Sequence, residues 1–290
     1  MQRAWCWIIS TVMSDRLPIS VLLLARDEER ELERLLPALA FAQEVVVVCD
    51  PEGMPGVGRV AERHGARVFT QAFDGFGAQR QFALARCTQP WVLWIDADEW
   101  PDVALVDALR TQVAGAPGES GDGAAAGWRL RRRTWFLGRR IRFCGWGVES
   151  IVRGGRRERL RFDDAPVHER LMVDGPITEL AGTLEHHSYP TIEVCGAKLT
   201  RYALAGAERA WRAGRRAGPA DLLLRPPLRF VRQFVLQLGF LDGTHGLVLC
   251  GLAAAQVFLK YAALWERTRA AAAGRGIAGL PPRRGDGTAA

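Results

Sequence analysis

Asp96 and Asp98 stand one residue apart, directly after the apolar run Trp91 to Ile95, and Glu99 follows them. Two carboxylates at the mouth of a buried strand can hold a hard divalent cation. Mg2+ or Mn2+ takes one or two protein carboxylates and completes its shell from substrate phosphates. Such a cation neutralises charge growing on a leaving diphosphate. A bare Asp-x-Asp is common by chance and usually marks a solvated turn; the apolar strand before it favours function. A haloacid-type phosphatase would want its nucleophilic Asp after the first strand, followed by Thr or Val. This pair comes late and is followed by Glu99 and Trp100.

Other acids share that placement. Asp27 and Glu28 follow the apolar run Ile19 to Leu24, and Asp50 closes the run Glu44 to Cys49. Each has a plainer reading: Asp50 can cap the next turn, Gln79 and Arg80 can be an exposed helix face, and the seven arginines between Arg129 and Arg142 can be solvated charge. His168 stands alone, and a lone histidine is more often a hydrogen-bonded structural residue than a ligand.

The elements that must position these residues alternate. Strands are expected at Ile19 to Leu24, Glu44 to Cys49, Arg67 to Thr70 and Trp91 to Ile95, with helices between them, the third over Gly75 to Cys87. Continuously apolar strands alternating with helices predict an α/β fold with a mostly parallel central sheet covered on both faces. Ligands of such sheets bind outside the carboxyl ends of the strands. No Gly-rich dinucleotide signature follows the first strand, and no P-loop occurs. Gly115 to Gly127 reads as a surface loop, and Trp128 to Phe162 as short strands with turns.

The chain has 290 residues, 48% of them hydrophobic, a net charge of +7 and a pI of about 9.5. That suffices for one substantial core with an appendage. A basic surface suits nucleotides, phosphorylated sugars, anionic lipid or nucleic acid without choosing among them. No nucleic-acid module is present, so no nucleic-acid partner is expected. Six scattered cysteines without a CxxC pair point to a reducing compartment. Arg3 and the apolar stretch Ala4 to Met13 lack a following cleavage site. Residues 1–16 therefore read as an extension, with Met13 an alternative start.

From Thr191 the pattern turns helical. Leu228 to Leu241 predicts an apolar helix with Arg225, Arg229 and Arg232 at its start, and Gly243 to Leu259 is an uncharged run of seventeen. That run is short for a membrane span, which needs about twenty residues. Helices lying in the interface, with arginines toward anionic headgroups, fit better than a buried hairpin or a dimer contact. The expected organisation is an extension (1–16), a catalytic domain (17–190), a helical membrane-associating region (191–268) and a tail (269–290).

The stretch FDGFGAQRQFALARCTQPWVLWIDADE (73–99) resembles glycosyltransferase family 2, whose fold is called GT-A. Within that family it is similar to the lipopolysaccharide-core glucosyltransferases of the WaaE type. The likeness continues in RRRTWFLGRRIRFCGW (131–146), VHE (167–169) and LGFLDG…FLKYAALWE (238–266), and spans roughly 17–267. The resemblance implies a GT-A nucleotide-diphospho-sugar transferase with a C-terminal helical region. It makes Asp96 and Asp98 the metal and diphosphate motif, with Asp50 reading the uracil or ribose and Glu28 lining the nucleotide pocket. Gln79 and Arg80 would lie near the nucleotide or sugar, and His168 would be a third metal ligand or acceptor contact. Glu149 takes the place of the acid in the family's Trp-Tyr-Pro-Asp and would be the general base, with Glu169 the competitor. Three departures stand out: Asp27 where the family has Asn, Pro51 to Pro55 where it has a second acidic turn, and Glu149 for Asp. The implied reaction is metal-dependent, inverting transfer of glucose from UDP-glucose to an inner-core heptose of lipopolysaccharide. Its implied place is the inner face of the cytoplasmic membrane, peripherally bound. The rivals are transfer to a polyprenyl phosphate, and a basic membrane-binding relative that lost the chemistry.

Overall fold

The computed structural model describes residues 16–114, 125–163 and 170–273. His168 and Glu169, the extension before Arg16, most of the Gly/Ala-rich loop and the tail from Gly274 lie outside the described residues. The chain forms two compact units, one of Met1–Thr134 with Val148–His187, the other of Trp135–Gly147 with Ser188–Ala290.

The first unit begins with β1 (Leu17–Ala25), α1 (Glu29–Leu35), β2 (Ala42–Cys49), α2 (Gly56–Arg63), β3 (Arg67–Thr70), α3 (Phe76–Leu84) and β4 (Trp91–Trp94). Then come, in chain order, β5 (Glu99–Pro101), α4 (Val103–Ala114), β6 (Gly127–Phe136), β7 (Arg139–Arg140), β8 (Val148–Arg156), β9 (Leu160–Phe162), β10 (Leu171–Val173) and β11 (Ile177–Tyr189), of which β7 and the last residues of β6 and β11 belong to the second unit. The sheet order is β3-β2-β1-β4-β8-β6-β11-β5. Its first half is parallel: β1 pairs with β2 and with β4, and β2 with β3. From β4 onward the pairing with β8, and of β8 with β6, is antiparallel.

Both faces of the parallel half are covered. Val21, Leu23 and Ala25 of β1 pack into a core with Leu32, Leu35, Val57, Val60, Leu105 and Leu109 from α1, α2 and α4. The alternate residue, Leu22, joins Ala83 and Leu84 of α3 with Leu160, Phe162 and Leu171 on the other face. Period-2 side chains feeding two cores are why β1 reads as an unbroken apolar run. Because β1, β2 and β4 are parallel neighbours, their carboxyl ends, and so Asp27, Asp50 and Asp96, lie at one edge of the sheet.

The second unit contains α5 (Ile192–Arg212), α6 (Pro219–Val231) and α7 (Gly243–Ala272). Thr191 caps α5 by accepting the Val194 N–H at 3.2 Å. Phe136, Ile141 and Cys144 form one core with Cys195, Leu249 and Cys250; Ala207, Ala210, Ala217 and Leu264 form another. The continuous helix expected over Leu228 to Leu241 is not formed. After α6 the chain makes a π turn at Arg232–Leu236, Leu238 takes the left-handed conformation (φ 56°), and a 3-10 turn follows at Gly239–Asp242. A non-glycine residue at positive φ ends helical propagation. Conversely, α7 runs well past the uncharged seventeen, to Ala272, and the segment Gly239–Ala272 is long and apolar enough, by length and composition, to cross a membrane. Core helices of soluble proteins meet the same criterion.

Candidate functional site

Beyond β4 the chain turns at once, because the Asp96 N–H donates to Glu99 Oε2 (3.1 Å) and the Glu99 N–H to the Asp96 carbonyl (3.0 Å). This reciprocal bonding closes the turn and fixes the Glu99 carboxylate. Asp96 Oδ2 accepts from Arg153 Nη2 at 2.9 Å, and Asp96 Oδ1 from Trp94 Nε1 at 3.0 Å, with Arg80 Nη2 at 3.5 Å. Arg80 and Arg153 both stack on the Trp94 indole, at 3.9 and 3.8 Å from a ring centroid. Burial would raise the Asp96 carboxyl, but Arg153 and then Arg80 outweigh it and hold the group well below the usual carboxylate range.

Glu99 is fully buried. It receives Arg153 Nη2 at 2.6 Å and Arg132 Nη1 at 3.1 Å. Burial pushes its carboxyl up against the pull of Arg153. Arg132 continues the chain to Glu149, its register partner across β6 and β8. Glu149 is about half exposed, with 47% of its side-chain surface open. One network of alternating charge thus runs from Asp96 through Arg153, Glu99 and Arg132 to Glu149.

Asp98 lies beside a pair of histidines. Its Oδ1 lies 3.5 Å from His186 Nε2, and its carbonyl accepts the His187 N–H at 2.8 Å. His187 also meets the Trp100 ring edge-on at 4.9 Å. Burial lowers the His187 pKa.

The two acids implicated at the β1 and β2 ends hold turns. Glu28 Oε2 accepts the N–H groups of Arg26 (2.7 Å) and Asp27 (3.0 Å). Asp50, nearly buried, accepts the Glu52 N–H at 3.0 Å and meets Arg26 Nη1 at 3.2 Å. Asp27 Oδ1 accepts the Met54 N–H at 3.2 Å, which ties the unusual Pro51 to Pro55 turn to the β1 end. Gln79 and Arg80 are buried, not an exposed helix face, and Gln79 Nε2 donates to the Gln71 carbonyl at 2.9 Å.

Whether this set fits a divalent metal can be judged from its chemistry. Among the described residues no group of three or more His, Cys, Asp or Glu could hold an ion. Asp96 is already neutralised by two arginines, which makes it a poor metal ligand. Asp98 and His186 offer two donors side by side, enough for an ion that draws its remaining ligands from substrate phosphates and water. Such an ion fits Asp98 with His186, and His168 lies outside the described residues.

The residues that sequence reasoning missed are Arg153, Trp94 and His186, together with the pairing of Glu149 with Arg132. A signal existed for His186 alone: a second histidine-bearing segment, at the end of a long alternating strand.

A sheet with a parallel nucleotide-binding half, an antiparallel half and an acidic turn after the fourth strand is the GT-A arrangement of nucleotide-diphospho-sugar transferases. The family model described as glycosyl transferase family 2 matches residues 20–166, and the chain belongs to that family. Over 269 residues it is 27% identical to a lipopolysaccharide core biosynthesis glycosyltransferase, LpsC, of Rhizobium meliloti, covering 86% of this chain and 95% of that protein. An uncharacterized glycosyltransferase of Rickettsia typhi is 23% identical over 257 residues, covering 86% of this chain and 87% of its own. Among solved structures, residues 1–349 of S. aureus TarS in complex with UDP are 14% identical, with a TM-score of 0.39 over 87% of this chain and 91% of that one.

Proposed function

We propose that this glycosyltransferase moves glucose from UDP-glucose to an inner-core heptose of lipopolysaccharide, with inversion, at the inner face of the cytoplasmic membrane. The observation that supports this chemistry is the pairing of Asp96 with Arg153 and Arg80 and the approach of His186 to Asp98. Asp96, held ionised by Arg153 and Arg80, is a fixed hydrogen-bond acceptor for donor hydroxyls. Asp98 and His186 would hold Mg2+ or Mn2+, which when bound supplies positive charge to the leaving diphosphate. Glu149, half exposed and held by Arg132, takes the acceptor hydroxyl's proton as the new glycosidic bond forms and the bond to the diphosphate breaks. The lipopolysaccharide acceptor is supported by the likeness to LpsC across 86% of the chain.

The test is a panel of nucleotide sugars, assayed for donor hydrolysis and for transfer to heptose-terminated core, with and without Mn2+. UDP-glucose with Mn2+ should lead the panel. Mn2+ binding read by electron paramagnetic resonance in the presence of UDP should fall at least tenfold in Asp98→Asn and in His186→Ala, and hold in Asp96→Asn. Full transfer by chelator-treated enzyme would remove the metal from this reading. Hydrolysis of no donor at all would remove the enzyme.

A further inference from the structure

The second unit carries a feature that sugar transfer does not use. Where α5 ends, the chain turns through Gly214 and Arg215, whose N–H donates to the Ala210 carbonyl at 2.9 Å, and enters α6 at Pro219. Between this turn, the first turns of α6 and the middle of α7 lies a cavity of about 280 Å3, lined by Arg215, Arg216, Asp221, Arg225, Tyr261 and Leu264 among others. Arg216 stacks on Trp211 at 3.7 Å and Arg225 on Tyr261 at 4.7 Å, so aromatic rings hold both guanidinium groups in place. The one acid, Asp221, is occupied: Oδ1 accepts from Arg225 Nε at 2.5 Å and Oδ2 from the Gly218 N–H at 3.0 Å. Arg215, Arg216 and the neighbouring Lys260 have no carboxylate partner among the described residues. Burial, and then repulsion from Arg215, Arg209 and Arg225, lowers the Lys260 ammonium below its ordinary value. Like charges crowded around a cavity are a standing cost that a bound anion would relieve.

The next face of α6 says which anion. Leu223, Leu224 and Leu228 are 72%, 59% and 65% exposed, and the apolar exposure continues through Leu236 (74%) and Leu241 (52%). Leucines this open, contiguous along one segment and bordered by arginines, are the mark of a surface that enters a bilayer interface.

We infer that the arginine cavity at the α5–α6 turn seats the phosphate of an anionic phospholipid headgroup while the α6 leucines enter the acyl layer. This rests on the membrane-surface location proposed above and adds the site that reads the lipid.

The test uses the full chain and vesicles of phosphatidylcholine with or without roughly one third phosphatidylglycerol. The wild-type protein should sediment with the anionic vesicles and release at high salt. Arg215→Gln/Arg216→Gln/Lys260→Gln should lower that partition by about a hundredfold, the share of three cations near such a surface. A control of equal charge change, Arg30→Gln/Arg34→Gln/Arg110→Gln, should lower it far less. Thermal unfolding of both triples checks that they fold. In solution, dihexanoyl-phosphatidylglycerol should bind at least tenfold more tightly than inorganic phosphate at matched ionic strength. Equal loss in the two triples, equal affinity for phosphate and lipid, or concentration-dependent self-association through the leucines without vesicle binding would each overturn the inference. Failure of the wild type to sediment with any vesicle would overturn the membrane location itself. Neither readout contains a sugar donor, so both are distinct from failure of the transferase reading.

Discussion

At the scale of single residues, the carboxylates of this site differ by what neutralises them. Asp96 has a pKa depressed below its unfolded value, so its ionised form adds stability fully present above about pH 3.9, the usual value of a free Asp. That stability is lost as pH falls through the folded value. Asp96→Asn should therefore lower the unfolding temperature at pH 7, and the gap to wild type should narrow as pH drops from 5 toward 2. A gap independent of pH would mean that the Arg153 and Arg80 contacts do not depend on the Asp96 charge. Glu149 is a different case. Its pair with Arg132 is partly exposed, and such pairs contribute roughly 0–1 kcal/mol. Glu149→Gln should leave stability close to wild type while cutting turnover about a hundred- to ten-thousand-fold, with UDP affinity unchanged. Turnover near the wild-type rate would move the base elsewhere, with Glu169 next in line. Asp96 and Asp98 could be picked out of the sequence because acids after apolar strands are conspicuous, and Glu149 because it stands where the family it resembles has an acid. Arg153 could not, because its partners lie 57 and 54 residues earlier and only strand pairing brings them together.

At the scale of elements, the parallel half of the sheet was legible strand by strand, and the antiparallel half only as short strands with turns over Trp128 to Phe162, without their pairing. β1 to β4 are buried on both faces, so each announces itself as an apolar run. β6 carries Arg129, Arg131, Arg132 and Arg133, for which solvated charge was the plainer of two readings. Arg131 meets Glu179 at the surface, while Arg132 meets Glu99 with Glu149 and Arg133 meets Glu185, acids contributed by three other segments. β8 places Arg153 through two glycines that follow it. A Cβ on Gly154 would come within 2.3 Å of the Val92 carbonyl oxygen and 3.1 Å of the Trp128 ring, which is itself stacked on Trp91. Gly155 has φ 154° and would meet the Ala126 carbonyl oxygen at 2.2 Å. Gly154→Ala should thus push β8 from β4, cost about 1–3 kcal/mol as an overpacking change, and carry Arg153 away from Asp96. Urea unfolding and UDP calorimetry on one sample read both effects. Wild-type stability with weakened UDP binding would separate the strand from the site and contradict this coupling.

At the scale of the whole molecule, the C-terminal helices are not a detachable tail, and this bears on how membrane binding is tested. The segment Trp135–Gly147, from the middle of the chain, belongs to the same unit as those helices. Asp242, almost fully buried, accepts the N–H groups of Arg142 (3.1 Å) and Phe143 (2.9 Å). Gln233 Nε2 donates to the Cys144 carbonyl at 3.1 Å, and the Cys144 N–H to the Gln237 carbonyl at 3.1 Å. Ending the chain at Pro227 would strip those partners from the N–H groups of Arg142, Phe143 and Cys144 and from the Cys144 carbonyl; the two groups of Cys144 are buried, and each would cost about 1–3 kcal/mol. It would also remove Leu249 and Cys250 from the core around Phe136 and Ile141. Together with the opened core, such losses are a large share of the 5–15 kcal/mol that holds an ordinary domain together. The truncated chain should therefore aggregate on expression, and its absence from membrane fractions would say nothing about lipid. Leu223→Gln/Leu224→Gln/Leu228→Gln removes only exposed side chains. It should keep the far-ultraviolet circular dichroism and unfolding temperature of the wild type while losing at least tenfold in partition onto anionic vesicles. A soluble truncated chain with a cooperative unfolding transition would show that Trp135–Gly147 does not need the helices, and would restore the picture of an independent appendage.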